Sequence, residues 1–263
     1  MPYATNNGVK IHYEVKGHGP PLMLVHGFGI SMDCWRQYGY AKELSKDYRL
    51  ILIDVRGFGA SDKPHDASAY GFQSLVDDMV AVLDDLDIDK ANCFGYSMGG
   101  QICFRIPIHA PQRFSSLIIG AAAYPEDSSL LQVYQRLENA IREAPEKPME
   151  FYVATGEKTT GPLSPAVRAE LLANDARALL AFTRMFRSEI SPKAEEVLPK
   201  IMLPCLLFVG EADTRFQTVR ECAVRIPGAR FISLPGLNHM QGILRSDLVL
   251  PHVRGFLTEV KAD

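Results

Sequence analysis

Apolar and polar positions alternate from Val9 to Val15, as in a strand with one face against a core. A turn cluster, Lys16-Gly17-His18-Gly19-Pro20-Pro21, then leads into Leu22-Met23-Leu24-Val25, which is apolar on both faces. That pattern suits an inner strand of a parallel sheet, covered by helices on both sides. Similar runs recur at Tyr48 to Asp54, Ala91 to Phe94, Leu117 to Ala123, Cys205 to Gly210 and Arg230 to Leu234. Between them the spacing turns helical, at Trp35 to Leu44, Leu75 to Leu86, Gly99 to His109, Val219 to Ile226 and Leu248 to Val260. Strand and helix in alternation predict right-handed βαβ units and a mostly parallel sheet. Asp77, Asp78, Asp84 and Asp85 fall between the apolar positions of one helix and are expected on its solvated face, not around a metal.

The rhythm changes at Pro125. From there to about Pro199 no strand is expected, and helix-like pieces are broken by Pro145, Pro148, Gly161-Pro162, Pro165 and Pro192. A segment so long and apolar predicts a small helical cap, residues 125–198, inserted into a core made of 1–124 and 199–263. Within it Leu179, Leu180, Phe182, Thr183, Met185 and Phe186 follow Asn174-Asp175, a pair able to cap a helix. Most of that run should pack the cap onto the core. Part of its underside must face the cleft, and Phe182 and Phe186 are the candidates for substrate contact.

The chain has 263 residues, 47% of them hydrophobic, enough for one large α/β domain carrying an insertion. A net charge of −3 gives no basic footprint for nucleic acid and no polybasic membrane stretch, so the expected partner is a small molecule. The five cysteines are widely spaced, without a metal-ligand pattern, and read as buried thiols of a cytoplasmic protein. No signal-like N-terminus or membrane-length apolar run stands out. Neither a metal nor a cofactor is implied. The glycine-rich stretch Val55 to Pro64 lacks a phosphate-binding signature and reads as a structural loop.

Candidate chemistry centres on Phe94-Gly95-Tyr96-Ser97-Met98-Gly99-Gly100, where a strand-like run meets a helix-like one. In a sharp strand-to-helix turn a serine hydroxyl stands clear of the backbone, and small neighbours avoid the clash. Ser97 is therefore the candidate nucleophile. It needs a base and an acid to orient that base. His239, in a loop just past the last strand, stands above the other histidines. Asp213 follows a strand directly, where catalytic groups of open sheets gather, and Glu211 is its nearby competitor, expected to turn away. The backbone N–H groups of Met98 and Phe28 are the candidate donors to an oxyanion. His26 is expected to fix its loop.

His26-Gly27-Phe28-Gly29, Asp54-Val55-Arg56-Gly57-Phe58-Gly59-Ala60-Ser61-Asp62, Gly95-Tyr96-Ser97-Met98-Gly99-Gly100, Gly210-Glu211-Ala212-Asp213 and Asn238-His239 occur in an order that resembles the α/β-hydrolase superfamily. The resemblance covers nearly the whole chain. It implies a mostly parallel eight-stranded sheet with helices on both faces and a small helical cap between the sixth and seventh strands. It also implies Ser97, Asp213 and His239 as a triad. A serine at the elbow disfavours dehalogenases and epoxide hydrolases, whose nucleophile is an aspartate. The expected activity is hydrolysis of a carboxylic ester or lactone through an acyl-enzyme on Ser97. The alternatives are a carbon-carbon bond hydrolase, disfavoured by Phe28-Gly29-Ile30-Ser31 in place of a Ser-Gly-Pro-Gly-like loop, and a small-molecule receptor with a slow or vestigial triad.

Overall fold

Runs apolar on both faces become covered inner strands, whereas Arg230 to Leu234, at the sheet edge, has only Leu234 buried. The computed structural model describes residues 2–125, 129–160, 162–188 and 194–260. Its eight strands are β1 (Tyr3–Asn6), β2 (Val9–Lys16), β3 (Pro21–Val25), β4 (Arg49–Ile53), β5 (Ala91–Tyr96), β6 (Phe114–Gly120), β7 (Cys205–Gly210) and β8 (Arg230–Leu234). They form one sheet in the order β1-β2-β4-β3-β5-β6-β7-β8. β1 and β2 pair antiparallel, as do β2 and β4, and every other pairing is parallel. Every residue of β5 and β7 is buried, as strands covered on both faces require.

Some local expectations shift for identifiable reasons. β1 joins the edge beside β2, although its four residues are too short to show a period. The Trp35 to Leu44 segment splits into helices Cys34–Gln37 and Tyr40–Leu44 around Gly39, whose φ is +86°. The expected Gly99 to His109 helix instead forms Met98–Cys103 and Ile106–His109, with Pro107 in the first turn of the second. Asp78 departs from the solvated face assigned to it. It is buried, accepts from Arg56 Nε at 2.6 Å and from Asn6 Nδ2 at 2.8 Å, and so ties the Phe72–Asp85 helix to the loop after β4.

Helices Ser129–Glu143, Pro148–Thr160, Pro165–Leu172 and Ala176–Ser188 lie between β6 and β7. Asp175 caps the last of them, its Oδ1 accepting from the N–H groups of Arg177 and Ala178 at 2.9 and 3.1 Å. Phe182 on that helix is completely buried, its ring 5.4 Å from Phe58, 5.6 Å from Tyr70 and 6.0 Å from Phe28. Those neighbours belong to the core, so the ring joins the helix to it. Among the described residues no helix is long and apolar enough to cross a membrane. All five cysteines are buried and none is in a disulfide.

Candidate active site

Ser97, Asp213 and His239 stand at the C-terminal edge of the parallel strands. Ser97 follows β5, the loop of His26 to Ser31 follows β3, Asp213 follows β7 and His239 comes after β8. Ser97 has φ +53° and ψ −111°, a conformation costing on the order of 1–3 kcal/mol for a residue with a Cβ. It is held there from both sides: its N–H donates to Gly120 O at 2.8 Å and its carbonyl accepts from Gln101 N–H at 2.9 Å. The flanking glycines permit the turn. A Cβ on Gly95 would lie 2.2 Å from Gly99 O, and one on Gly99 would lie 2.2 Å from Val25 O. Any side chain at either position would push the elbow off β3 and β5.

The imidazole of His239 reaches both other members of the expected set. Its Nε2 is 3.0 Å from Ser97 Oγ and its Nδ1 is 2.7 Å from Asp213 Oδ2. In the tautomer with the proton on Nδ1, the ring donates to Asp213 and accepts from the serine hydroxyl. The two loops are fastened to each other by backbone bonds, Ala212 N–H to Leu237 O and Glu211 N–H to Leu234 O, both 3.0 Å. Asn238 caps the His239–Leu244 helix through a reciprocal pair with Gln241 at 2.9 and 3.0 Å. Tyr96, next to the serine, donates its hydroxyl to His239 O. The position of His239 is thus fixed from three directions.

Asp213 has its side chain fully covered, whereas Glu211 is exposed. Burial pushes the Asp213 carboxyl up, but hydrogen bonds and charges from His239 and Arg215 outweigh it and hold the group below its ordinary range. Arg215 was not anticipated from the sequence. Its N–H and Nη1 donate to Asp213 Oδ1 at 3.0 and 3.2 Å, and Nη1 also lies 3.1 Å from His239 Nδ1. An arginine two residues past the acid was the available signal, but only the loop's turn brings its guanidinium to the ring.

His26 fixes its loop as expected, Nδ1 donating to Gly27 O at 2.8 Å and Nε2 accepting from Val55 N–H at 3.1 Å. Burial holds its imidazole below the usual range, partly opposed by Asp54. Gly27 packs against the elbow, a Cβ there falling 3.6 Å from Ser97 Cβ. Among the described residues, neither Phe28 N–H nor Met98 N–H donates to a protein acceptor. Asn174 Nδ2 donates to Gly29 O at 2.9 Å and Ser31 Oγ to Glu170 Oε1 at 2.8 Å, so the Pro165–Leu172 helix and its C-terminal end hold this loop. Burial raises the Glu170 carboxyl, and Ser31 offsets that only in part.

A cleft of about 480 Å³ borders Asp213 and His239, its walls including Leu163, Val167, Met240 and Leu244. A second cavity of about 510 Å³, lined by Phe72, Arg105 and Tyr124 among others, shares no residue with the Ser97 group. Phe182 lines neither of these two cavities, and its ring is completely buried against Phe28, Phe58 and Tyr70. Phe186, the other candidate, lies outside the described residues as far as its side chain is concerned.

The family model described as alpha/beta hydrolase fold matches residues 20–204, and the chain belongs to that family. A Bacillus subtilis (strain 168) protein provisionally named 2-succinyl-6-hydroxy-2,4-cyclohexadiene-1-carboxylate synthase is 26% identical over 95% of this chain and 96% of its own. The 2-hydroxymuconate semialdehyde hydrolase of Pseudomonas sp. (strain CF600) is 37% identical over 44% of this chain and 41% of its own. Among solved structures, the enol-lactonase of Burkholderia xenovorans LB400 superposes with a TM-score of 0.83, covering 98% of this chain and all of that one at 24% identity. That likeness establishes the shared fold.

Proposed function

We propose that the protein hydrolyses a carboxylic ester or lactone of a small apolar substrate through an acyl-enzyme on Ser97. The observation that carries the reading is the unbroken hydrogen-bonded row from Ser97 Oγ through His239 to Asp213, at 3.0 and 2.7 Å, on a serine held at positive φ. Attack by Ser97 Oγ on the carbonyl passes its proton to His239 Nε2. Asp213 holds the ring and stabilises the imidazolium. The carbonyl oxygen, now negative, is received by the N–H groups of Met98 and Phe28. His239 gives the proton to the leaving alkoxide, and a water activated by the same nitrogen releases the acid. Residues 125–198 act as a cap over this edge of a core formed by 1–124 and 199–263, and the five free thiols support a reducing compartment.

The cleft beside His239 supports an apolar, uncharged substrate, since Leu163, Val167, Met240 and Leu244 contribute to its walls. The second reading, hydrolysis of a carbon-carbon bond by the same residues, is favoured by the local similarity to the semialdehyde hydrolase. A screen of esters, lactones, thioesters and vinylogous diketones, run on the protein and on Ser97→Ala, separates the two. Turnover of diketones alone would transfer the assignment. Turnover of none by the wild type would leave a small-molecule receptor.

A further inference from the structure

Arg215 is the part of this site that a serine, a base and an acid do not require. Its side chain is 11% exposed beside a fully covered Asp213 carboxylate. Its backbone N–H and Nη1 donate to Oδ1 at 3.0 and 3.2 Å, while His239 Nδ1 takes Oδ2 at 2.7 Å. Each carboxylate oxygen thus has its own partner, and the carboxylate cannot swing away from the ring without breaking the arginine contacts. A guanidinium has only donors. While Nδ1 keeps the proton it gives to Asp213, the 3.1 Å approach of Nη1 is therefore contact of a permanent cation with the edge of the imidazole.

A second proton on the ring is drawn by Asp213 and repelled by Arg215. Two further groups against the ring, the side chains of Tyr96 and Ser97, are neutral. Burial keeps the Tyr96 phenol un-ionised far above its ordinary range, and Ser97 contributes a hydroxyl. The outer wall consists of Leu163, Thr214, Asn238, Met240 and Leu244 among others. We propose that Arg215 is a positioning residue of the Asp213–His239 pair, which orients the carboxylate and keeps the imidazole ready as a base to lower pH than Asp213 alone would allow. This rests on the roles given above to Ser97 and His239.

The test uses the intact protein and a neutral p-nitrophenyl phosphonate ester, which needs no knowledge of the natural substrate. The rate of labelling is measured against pH and the labelled residue identified by mass spectrometry. In the wild type, labelling at Ser97 should fall on the acid side. Arg215→Met and Arg215→Gln should move that fall to higher pH by about one unit, and Arg215→Lys, which keeps the charge, should restore most of the shift. An equal loss at every pH with an unmoved acid limb, a shift the other way, or loss of the thermal transition in both neutral variants would overturn the proposal. An unmoved limb with slower labelling only by an anionic phosphonate would assign Arg215 to substrate recognition instead. A label absent from Ser97 in the wild type would remove the underlying reading, an outcome distinct from all of these.

Discussion

Asn174 donates from Nδ2 to the carbonyl of Gly29 at 2.9 Å, which fastens the helices between β6 and β7 to the loop carrying the Phe28 N–H. The same amide is held against Glu170 O and Leu171 O at 2.9 and 3.2 Å, so its direction is fixed by its own helix end. Asn174→Ala should loosen the Phe28 donor while leaving Ser97, His239 and Asp213 in place. The expected outcome is a fall in kcat of roughly tenfold with KM little changed, and a matching loss of affinity for a boronic acid. A rise in KM with unchanged kcat would show that the contact serves substrate binding alone.

Phe182→Ala should act on stability. Removing a buried aromatic ring costs about 3–5 kcal/mol, and at this chain length that lowers Tm by roughly 10 °C. The ratio of kcat/KM between short-chain and bulky esters should hardly move. A changed ratio with an unchanged melting temperature would return Phe182 to the pocket wall.

Phe182 also marks the limit of what the amino-acid sequence discloses. The strands and the elbow are legible in it because their signals are local: apolar runs, and glycines beside a serine at a strand end. Asp213 and His239 are legible because strand ends gather on one edge of a parallel sheet. Side-chain neighbours across the chain are not. Helical spacing gives Asp78 a face but does not bring in Arg56, which reaches it from the loop after β4. Helical spacing offers Phe182 as a candidate for the cleft but does not disclose that Phe28, Phe58 and Tyr70 surround it. Arg215 carries no local signal of its own, and it is the turn after β7 that folds it back onto Asp213.

Selectivity should reside in the cleft beside His239. Leu163→Ala and Met240→Ala each widen it, and apolar walls discriminate by about 1–3 kcal/mol per methylene. Preference for longer over shorter esters should therefore change by about tenfold, read as the ratio of kcat/KM values, while an acetate ester keeps nearly its wild-type rate. One common factor across all substrates would place the binding site elsewhere.

The Asp213 carboxyl is held below its ordinary range, and this has a consequence for stability. A depressed carboxylate stabilises the fold at pH values above its unfolded pKa of about 3.9, and the contribution is lost as pH falls through the lower folded value. Denaturant unfolding of wild type and Asp213→Asn should show a gap at pH 7 that narrows below about pH 4. A gap of the same size at pH 3.5 would contradict a depressed carboxyl. In activity, Asp213→Asn should lose up to about 10⁴-fold in kcat while Glu211→Gln loses little.

The most direct measurement is mass spectrometry of the protein quenched during turnover of an ester with a slowly released acyl group. A single acyl adduct on the peptide containing Ser97, absent in Ser97→Ala although that variant keeps its thermal transition, is the predicted result. Turnover without any adduct on Ser97, or an adduct on another residue that survives in Ser97→Ala, would contradict the account.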